Sequence, residues 1–339
     1  MPAMKNPTLN SLTLELGLQQ MIGVSRNFCA VKEKIPCVAR CDAGVLITGE
    51  TGTGKELCAR AIHYGSARAH GPFIPLNCGA IPVELIENEL FGHQRGAFTD
   101  ARDQRTGLLA EAQGGTLFLD EVDSTPPATQ VKLLRFLQDK EYRPLGAAKA
   151  LKADVRIIAA TNADLATAIK TGGLRADLYY RLKIIQLNLP SLRERREDIL
   201  LLAQVFLKRY AAEFASPAQS FSHEAEQLLL LHDWPGNVRE LENLVANAAA
   251  LASRSVIEPD DLDLPTRTAT VCAAHSFREA KARFEQDYLE TMLALYHGNV
   301  SQAAQAAQKN RRAFWELMRK YHIDAARFRN DDAFLAPCG

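Results

Sequence analysis

One glycine-rich loop constrains the fold of this 339-residue chain more than any other segment, because it joins an apolar run at 44–48 to a helical pattern at 57–62. Phosphate-binding loops have the pattern G-x-x-x-x-G-K in this strand-to-helix setting. Their glycines turn backbone N–H groups toward phosphate oxygens, and the following helix presents its N-terminus to the same anion. The loop therefore predicts a nucleotide-binding α/β domain. The residues expected to bind ATP are Gly49, Glu50, Thr51, Gly52, Thr53, Gly54, Lys55 and Glu56, with Lys55 reaching the β- and γ-phosphates.

Short apolar runs alternate with helical patterns between about residues 21 and 189, which is what a parallel sheet covered on both faces requires. From Pro190 to about Leu264, helical periodicity replaces the strand pattern. We therefore predict an α/β domain at 21–189, with a parallel sheet sandwiched by helices, and a smaller α-helical domain at 190–264. The predicted strands are 44–48, 73–77, 116–120, 155–160 and 184–187.

Polar residues follow two of these runs. Asp120 and Glu121 end the third run, and Thr161 and Asn162 follow the fourth. In an ATPase, a carboxylate such as that of Asp120 holds Mg²⁺, directly or through water, and one such as that of Glu121 polarises the attacking water. Taken alone, an acidic pair often caps a helix and an Asn is often a turn residue. Together with the loop, the pattern favours Mg²⁺-dependent ATP hydrolysis.

Further motifs follow in the order found in one known family. With the loop and the run that ends in Asn162, they make residues 21–264 resemble the AAA+ central domain of bacterial sigma-54-dependent activators. The resemblance implies an ATPase that forms a homo-oligomer, by family precedent a hexameric ring, and remodels the sigma-54 RNA polymerase holoenzyme at a promoter. The motifs are Asn77–Pro82, Glu89–His93, Gly96–Ala101, Gly115–Glu121, Leu174–Leu182 and Trp234–Leu241.

The resemblance also assigns roles within the ATP site. Glu56 departs from the Ser or Thr of the general loop pattern but is the residue that this family usually carries there. Asn77 resembles the residue that restrains Glu121 until the partner is engaged. Thr161 and Asn162 resemble the first sensor of the γ-phosphate.

Three arginines complete the implied site. Arg175 and Arg181 resemble the arginine fingers that one subunit inserts into its neighbour's site, where a guanidinium stabilises charge on the transferring phosphoryl group. Arg239 resembles the second sensor, although an Arg in a helix is more often part of a surface ion pair. Fingers acting between subunits imply a closed ring, since a lone subunit lacks its neighbour's arginines.

The segment Gly96–Ala101 resembles the loop through which these activators touch sigma-54. Phe98, Thr99 and Asp100 are the candidates for this contact. Asp100 replaces a glycine of the family pattern, tolerates left-handed backbone and adds a negative charge. Two alternatives therefore stay open: an AAA+ regulator that acts on a different polymerase form, and a DNA-binding regulator gated by nucleotide.

The last helical block, at 276–325, reads as two helices joined by a turn. A helix of small residues follows His297–Asn299, and a helix with one apolar and one basic face follows Asn310. This block resembles the Fis-type helix-turn-helix domain that ends many of these activators, so we expect it to bind double-stranded DNA upstream of a promoter. The alternative is a basic amphipathic helix that packs on the lid. The candidate DNA-binding residues are Lys309, Asn310, Arg311, Arg312 and Arg319.

The remaining segments and the overall charge limit the function classes. Residues 1–20 are predicted to be a short arm, 265–275 a linker and 326–339 a tail. A sensing domain needs about 100 residues, so regulation is expected from a separate protein acting in trans or from expression level. Lys plus Arg and Asp plus Glu both number 40, which requires any DNA-binding patch to be local. With no signal peptide and no apolar run of about 18 residues, we expect a cytoplasmic protein without membrane contact.

Overall fold

The computed structural model describes residues 17–97, 103–264 and 285–325, the last range without 287, 291, 294, 295, 297, 308 and 322. The chain divides into two compact units, Met1–Asp263 and Leu264–Gly339. Among the described residues, no helix is both long and apolar enough to cross a lipid bilayer.

The first unit is built on a five-stranded parallel sheet. Each strand coincides with a predicted apolar run to within one residue, which confirms the α/β prediction and the parallel sheet. The strands are β1 (Val45–Thr48), β2 (Phe73–Asn77), β3 (Thr116–Asp120), β4 (Arg156–Thr161) and β5 (Ile185–Asn188). They lie side by side in the order β2-β3-β4-β1-β5, so their carboxyl ends form one edge.

Helices cover both faces of this sheet. Because side chains of a strand alternate between faces, Leu117 and Leu119 pack in one buried apolar cluster and Phe118 in the other. Strand β4 is buried along its whole length, as expected for a central strand between two helical layers. The helices of this domain are α1 (Arg26–Arg40), α2 (Lys55–Tyr64), α3 (Val83–Phe91), α4 (Leu108–Glu111), α5 (Pro127–Asp139), α6 (Leu165–Lys170) and α7 (Ala176–Leu182).

Arg156, the first residue of β4, is buried and caps the C-terminal end of helix α1. Its guanidinium donates hydrogen bonds to the backbone oxygens of Val38 (2.9 Å), Ala39 (3.4 Å) and Ala43 (3.3 Å). The last carbonyls of a helix have no partner within the helix and carry partial negative charge. Arg156 therefore fixes the end of α1 against the sheet, although burial lowers the pKa of its guanidinium.

The helical lid follows the sheet and confirms the predicted change from strands to helices. It contains α8 (Glu197–Glu213), α9 (His223–Leu231) and α10 (Asn237–Leu251). A short parallel pair, Ser220–Phe221 with Val256–Ile257, joins the connection between α8 and α9 to the segment after α10. A helical turn at Leu192–Glu194 leads into it and is closed by a capping box between Ser191 and Glu194.

Two short hairpins that the sequence did not predict project from the α/β domain. Gly92–His93 pairs antiparallel with Arg105–Thr106, and Glu141–Tyr142 pairs antiparallel with Leu151–Lys152. A bridge between His93 and Leu145 connects the two hairpins. The first hairpin carries the segment predicted to touch sigma-54, but Phe98, Thr99 and Asp100 lie outside the described residues.

The structure gives the bounds of two helices in the second unit, and a short connection joins them. Helix α11 (Val300–Ala306) is capped by Asn299, and α12 (Arg311–Lys320) is capped by Asn310, whose side-chain oxygen accepts the Ala313 N–H at 2.7 Å. Helical backbone is also described between 285 and 293. Buried apolar side chains from these segments form one core: Leu289, Leu293, Ala303, Ala304, Phe314 and Met318.

Candidate nucleotide-binding site

The glycine-rich loop turns between β1 and α2 because glycines occupy its left-handed positions. Gly52 has φ of 79° and Gly54 has φ of 99°. A Cβ atom at Gly52 would also overlap the carbonyl oxygen of Gly236 in the lid. A residue other than Gly would therefore strain the loop and push the lid away.

Lys55, the first residue of α2, points back along the loop. Its Nζ donates to the carbonyl oxygens of Gly49 (2.9 Å) and Glu50 (3.1 Å), and only 7% of the residue is exposed. Burial lowers the pKa of Lys55, and the charges of Asp120 and Glu121 oppose that shift. The site therefore brings the ammonium group into the field of the two carboxylates that end β3.

Glu121 is held at the start of the turn after β3 in left-handed backbone, with φ of 53°. The Asp120 Oδ1 accepts its N–H at 3.1 Å. A Cβ atom at Gly79 would overlap the Glu121 carboxylate, so the two residues lie in contact. The oxygen of the Asn77 side chain accepts the N–H groups of Gly79 (2.8 Å) and Ala80 (3.1 Å). Asn77 thus shapes the turn against which Glu121 rests.

The two predicted sensor residues differ in their surroundings. Asn162 donates through Nδ2 to the hydroxyl of Thr51 at 2.8 Å and so contacts the phosphate loop directly. Thr161 is buried, donates to the Asp123 carboxylate and accepts the Ala163 N–H at 3.0 Å. Asp123 was not predicted from the sequence; its only signal is its place two residues after the acidic pair.

Asn237 connects the lid to the phosphate loop and was also missed by the sequence analysis. Its Nδ2 donates to the Thr51 carbonyl oxygen at 3.0 Å and to the Glu50 carboxylate at 3.1 Å, while its Oδ1 accepts the Leu192 N–H at 2.7 Å. The residue is fully buried and has φ of 52°, which Asn tolerates better than most residues. The motif Trp234–Leu241 contains it, but sequence spacing does not reveal contacts with a loop so distant in the chain.

Glu50 is held by Arg193 as well. The guanidinium pairs with the carboxylate through two nitrogens, and the Nη1 to Oε2 distance is 2.9 Å. This hydrogen bond is the largest cause that lowers the pKa of Glu50. Two lid-side residues, Arg193 and Asn237, therefore bind one carboxylate of the phosphate loop.

The other predicted site residues lie as follows. Arg239 follows Asn237 in α10, and its Cβ lies near Gly52 in the phosphate loop. Glu56 is exposed and pairs with Arg60 one helical turn later, at 2.7 Å. Arg175 and Arg181 are exposed and bind Asp177 (2.8 Å) and the Leu137 carbonyl oxygen (3.3 Å). Within the described part of the chain, these two arginines do not join the cluster at the carboxyl edge of the sheet.

A cavity of about 540 Å³ lies beside the loop, between the α/β domain and the lid. Arg195 lies on its wall with 2% exposure, its Cζ 4.4 Å from the centre of the Phe28 ring. Its Nη2 donates to the Thr53 carbonyl oxygen at 3.2 Å, and its Nε has no partner among the described residues. Leu57 and Val238 add apolar surface. Such a lining suits a flat heteroaromatic group next to a phosphate site.

Asp198, at the start of α8, makes a second contact between the lid and the α/β domain. One carboxylate oxygen accepts the N–H groups of Val24 (2.7 Å) and Ser25 (2.8 Å), and the other accepts the Ser25 hydroxyl at 2.7 Å. Asp198 is fully buried. The lid is therefore hydrogen-bonded to the α/β domain at two places, through Asp198 and through Asn237.

The candidate DNA-binding residues lie in the second unit. Arg311, Arg312 and Arg319 are exposed on α12, and Lys309 is exposed just before it. The side-chain oxygen of Asn310 accepts the Ala313 N–H and so caps α12.

Comparison with known proteins identifies both parts of the first unit. Residues 21–188 match the family described as sigma-54 interaction domain, and residues 193–279 match the AAA+ ATPase lid domain. The transcriptional regulatory protein GlrR of Escherichia coli K12 is 46% identical over 297 residues, which make up 88% of this chain and 67% of that protein. The response regulator protein PilR of Pseudomonas aeruginosa is 47% identical over 261 residues, 77% of this chain and 58% of that protein.

Solved structures of a related protein have a fold similar to that of this chain. The crystal structure of NtrX from Brucella abortus in complex with ADP has a TM-score of 0.68 and 35% sequence identity, covering 92% of this chain and 72% of that one. The NtrX complex with ATP has the same TM-score with 34% identity. Like GlrR, of which the chain spans 67%, these proteins are longer than the segment they share with it.

Proposed function

Because the chain belongs to the family of sigma-54-dependent transcriptional regulators, we propose that it hydrolyses ATP to remodel the sigma-54 RNA polymerase holoenzyme and open a promoter. Its AAA+ core and lid imply an ATPase, and its sigma-54 interaction domain implies contact with that polymerase. The observation that carries the proposal is the meeting of Lys55, Asp120, Glu121 and Asn162 at one edge of the sheet.

The chemical step follows from these side chains. Glu121 accepts a proton from a water molecule as the oxygen of that water bonds to the γ-phosphorus. The bond from this phosphorus to the bridging oxygen breaks, and ADP and phosphate leave. Lys55 stabilises the negative charge on the phosphate oxygens, and Asn162 orients the phosphate from the side of Thr51.

A magnesium ion fits the same edge. Glu56 turns away to Arg60, and the Thr53 hydroxyl donates to the Glu50 carbonyl oxygen at 2.8 Å. Asp120 is therefore the carboxylate beside Lys55 that would hold Mg²⁺, directly or through water. When bound, the ion supplies positive charge that offsets the charge of the phosphates.

Assembly completes the site in this proposal. Arg175 and Arg181 are exposed and contact Asp177 and the Leu137 carbonyl oxygen, not Asp120 or Glu121 of their own subunit. A guanidinium supplied by a neighbour is a known way to stabilise phosphoryl transfer. We propose a ring of identical subunits, with six as the family precedent, in which each subunit supplies these arginines to the next.

The polymerase and the promoter are contacted by different parts of the chain. Phe98 and Thr99, with Asp100 next to them in the sequence, would touch sigma-54 from the segment that joins Gly92–His93 to Arg105–Thr106. The residues of α12 would bind upstream DNA, because an exposed row of arginines provides phosphate contacts in a chain of zero net charge. A regulatory protein acting in trans is a further proposed partner, and the cytoplasm is the proposed location.

The first test separates binding of ATP from its hydrolysis. Glu121→Gln is expected to bind ATP normally and to hydrolyse it about 10² to 10⁴ times more slowly, the usual loss for a general base. Glu111→Gln, an exposed residue of α4, serves as the matched control with unchanged turnover. Equal turnover of Glu121→Gln and the unchanged protein would mean that the nucleotide site is not a hydrolytic one.

The second test asks which polymerase is remodelled. ATP-dependent opening of a promoter by sigma-54 holoenzyme is expected for the unchanged protein and not for Phe98→Ala. ATP hydrolysis without opening would contradict the proposal. If Asp100→Gly then restored opening, the loop would have diverged from sigma-54, and another polymerase form would be the target.

A further inference from the structure

Helix α12 exposes a large aromatic side chain, Trp315, beside the face that packs in the core. Phe314 and Met318 are 0% and 5% exposed and pack inward, whereas Trp315 is 53% exposed. A shallow surface groove of about 680 Å³ runs past it, lined by Arg312, Trp315, Glu316, Arg319 and Lys320. Among the described residues of the second unit, Trp315 is not part of the buried apolar core.

Positive charge surrounds this tryptophan. The Arg319 Cζ lies 5.9 Å from the centre of the Trp315 ring, a cation–π distance that orients both groups outward. Arg312 pairs with Glu316 one turn away, with Nε and Oε1 at 3.4 Å, and both side chains stay largely exposed. Arg311 extends the positive charge to the start of the helix. A polyanionic ligand complements this face, and an apolar protein surface does not.

From this arrangement we propose that Trp315 reads thymine by packing its indole against C5-methyl groups in the major groove of DNA. The inference rests on the proposed DNA binding by α12. The major groove admits a helix, and the thymine methyl is the one apolar group that base pairs display there. Arg312 and Arg319, on either side of the indole, bind the flanking phosphates or a guanine edge.

The experiment uses the full chain and replaces thymine by deoxyuridine, which lacks only the methyl group. Duplexes are first selected from a random pool by the unchanged protein, then amplified with thymidine or deoxyuridine and compared by fluorescence anisotropy. The unchanged protein is expected to lose about fourfold in affinity for each contacted methyl that is removed. Trp315→Ala is expected to bind more weakly and to show no difference between the two duplexes.

Two matched variants distinguish reading of the methyl from general loss of binding. Arg312→Ala removes a phosphate or guanine contact, so it is expected to weaken both duplexes equally and to keep their ratio. Trp315→Phe keeps an aromatic surface and is expected to retain part of the discrimination. Circular dichroism and ATP turnover of each variant report whether the chain is still folded.

Each outcome bears on a different statement. Binding of the unchanged protein to both duplexes with equal affinity would overturn the role of Trp315 and leave DNA binding intact. Absence of salt-dependent binding to any duplex would overturn the proposed DNA binding itself. An unchanged ratio in Trp315→Ala, accompanied by altered sedimentation of the chain, would assign this face to protein association instead.

Discussion

At the scale of single residues, the site depends on side chains that join distant segments. Asn237 is the clearest case, because one amide serves the phosphate loop, its glutamate and the turn at Leu192–Glu194. Each of its polar atoms lies where water does not reach. Removing such a group leaves its partners buried without hydrogen bonds, which costs about 1–3 kcal/mol for each unsatisfied group.

We predict that Asn237→Ala weakens ATP binding by about tenfold or more, since about 1.4 kcal/mol corresponds to each factor of ten. The expected change is measured by titration with a fluorescent ATP analogue. Asn237→Gly is the control, because glycine accepts the backbone φ of 52° without strain but supplies no hydrogen bonds. Both variants should lose affinity; full affinity in the glycine variant would show that only backbone strain matters.

A second residue makes the stability of the fold depend on pH. His63 is fully buried in α2, with Nδ1 2.9 Å from the Thr116 hydroxyl, and burial lowers its pKa to about 4. In the unfolded chain the pKa of a histidine is about 6.5. Unfolding therefore takes up a proton between these values, and the free energy of unfolding falls as the pH falls through this window.

We predict a loss of about 3 kcal/mol in the free energy of unfolding between pH 7 and pH 4 from His63 alone, at about 1.4 kcal/mol for each unit of pKa. Denaturant unfolding at several pH values measures it. In His63→Gln this part of the pH dependence should disappear, whereas His70→Gln, at an exposed position, should retain it. A slope that is the same in both variants would contradict the assignment.

At the scale of elements, the sequence predicted secondary structure best where a whole segment is buried. All five strands of the sheet were predicted because each is a short apolar run between helical patterns, and β3 and β4 are buried nearly throughout. The hairpins at 92–106 and 141–152 were missed because two-residue strands have no recognisable periodicity. The roles of Asp123, Arg193 and Asn237 were missed for another reason: each depends on a partner far away in the chain, and one sequence gives no measure of such distances.

The lid helix α8 is anchored to the α/β domain by Asp198 in its first turn. Asp198 accepts three hydrogen bonds from Val24 and Ser25 at distances of 2.7 to 2.8 Å. Its removal would leave the buried N–H and hydroxyl groups of Ser25 without this acceptor. We predict that Asp198→Ala lowers the free energy of unfolding by about 3 kcal/mol.

Urea unfolding of the first unit checks this prediction. Glu197→Ala removes an exposed carboxylate from the same turn and should change the free energy by less than about 0.5 kcal/mol. A similar small effect in Asp198→Ala would mean that the lid is held chiefly by α10.

At the scale of the whole molecule, the proposed role of Arg175 and Arg181 makes ATP hydrolysis depend on contact between neighbouring subunits. Lys55→Ala lacks a functional loop but keeps Arg181, and Arg181→Ala keeps its loop but lacks the finger. We predict that each variant alone is inactive and that their mixture regains part of the ATPase activity, because some interfaces then contain both intact groups. Steady-state ATP turnover against mixing ratio measures this effect.

A double variant, Lys55→Ala with Arg181→Ala, is the control for the mixing experiment. Mixed with either single variant, it provides no interface that contains both intact groups, so activity should stay absent. Absence of recovery in the first mixture would place the arginine within its own subunit's site. Activity in a mixture with the double variant would mean that one of the two groups is not required for hydrolysis.

The bonds from Arg193 and Asn237 to Glu50 have an implication for how such chains can diversify. Three residues from separate stretches of the sequence form one hydrogen-bonded unit, so a substitution at one of them alters the selection on the other two. A protein produced by recombination between relatives would keep these hydrogen bonds only if its phosphate loop and its lid carried matching residues. The lid is thus a poor unit of exchange, even though it is a separate helical layer.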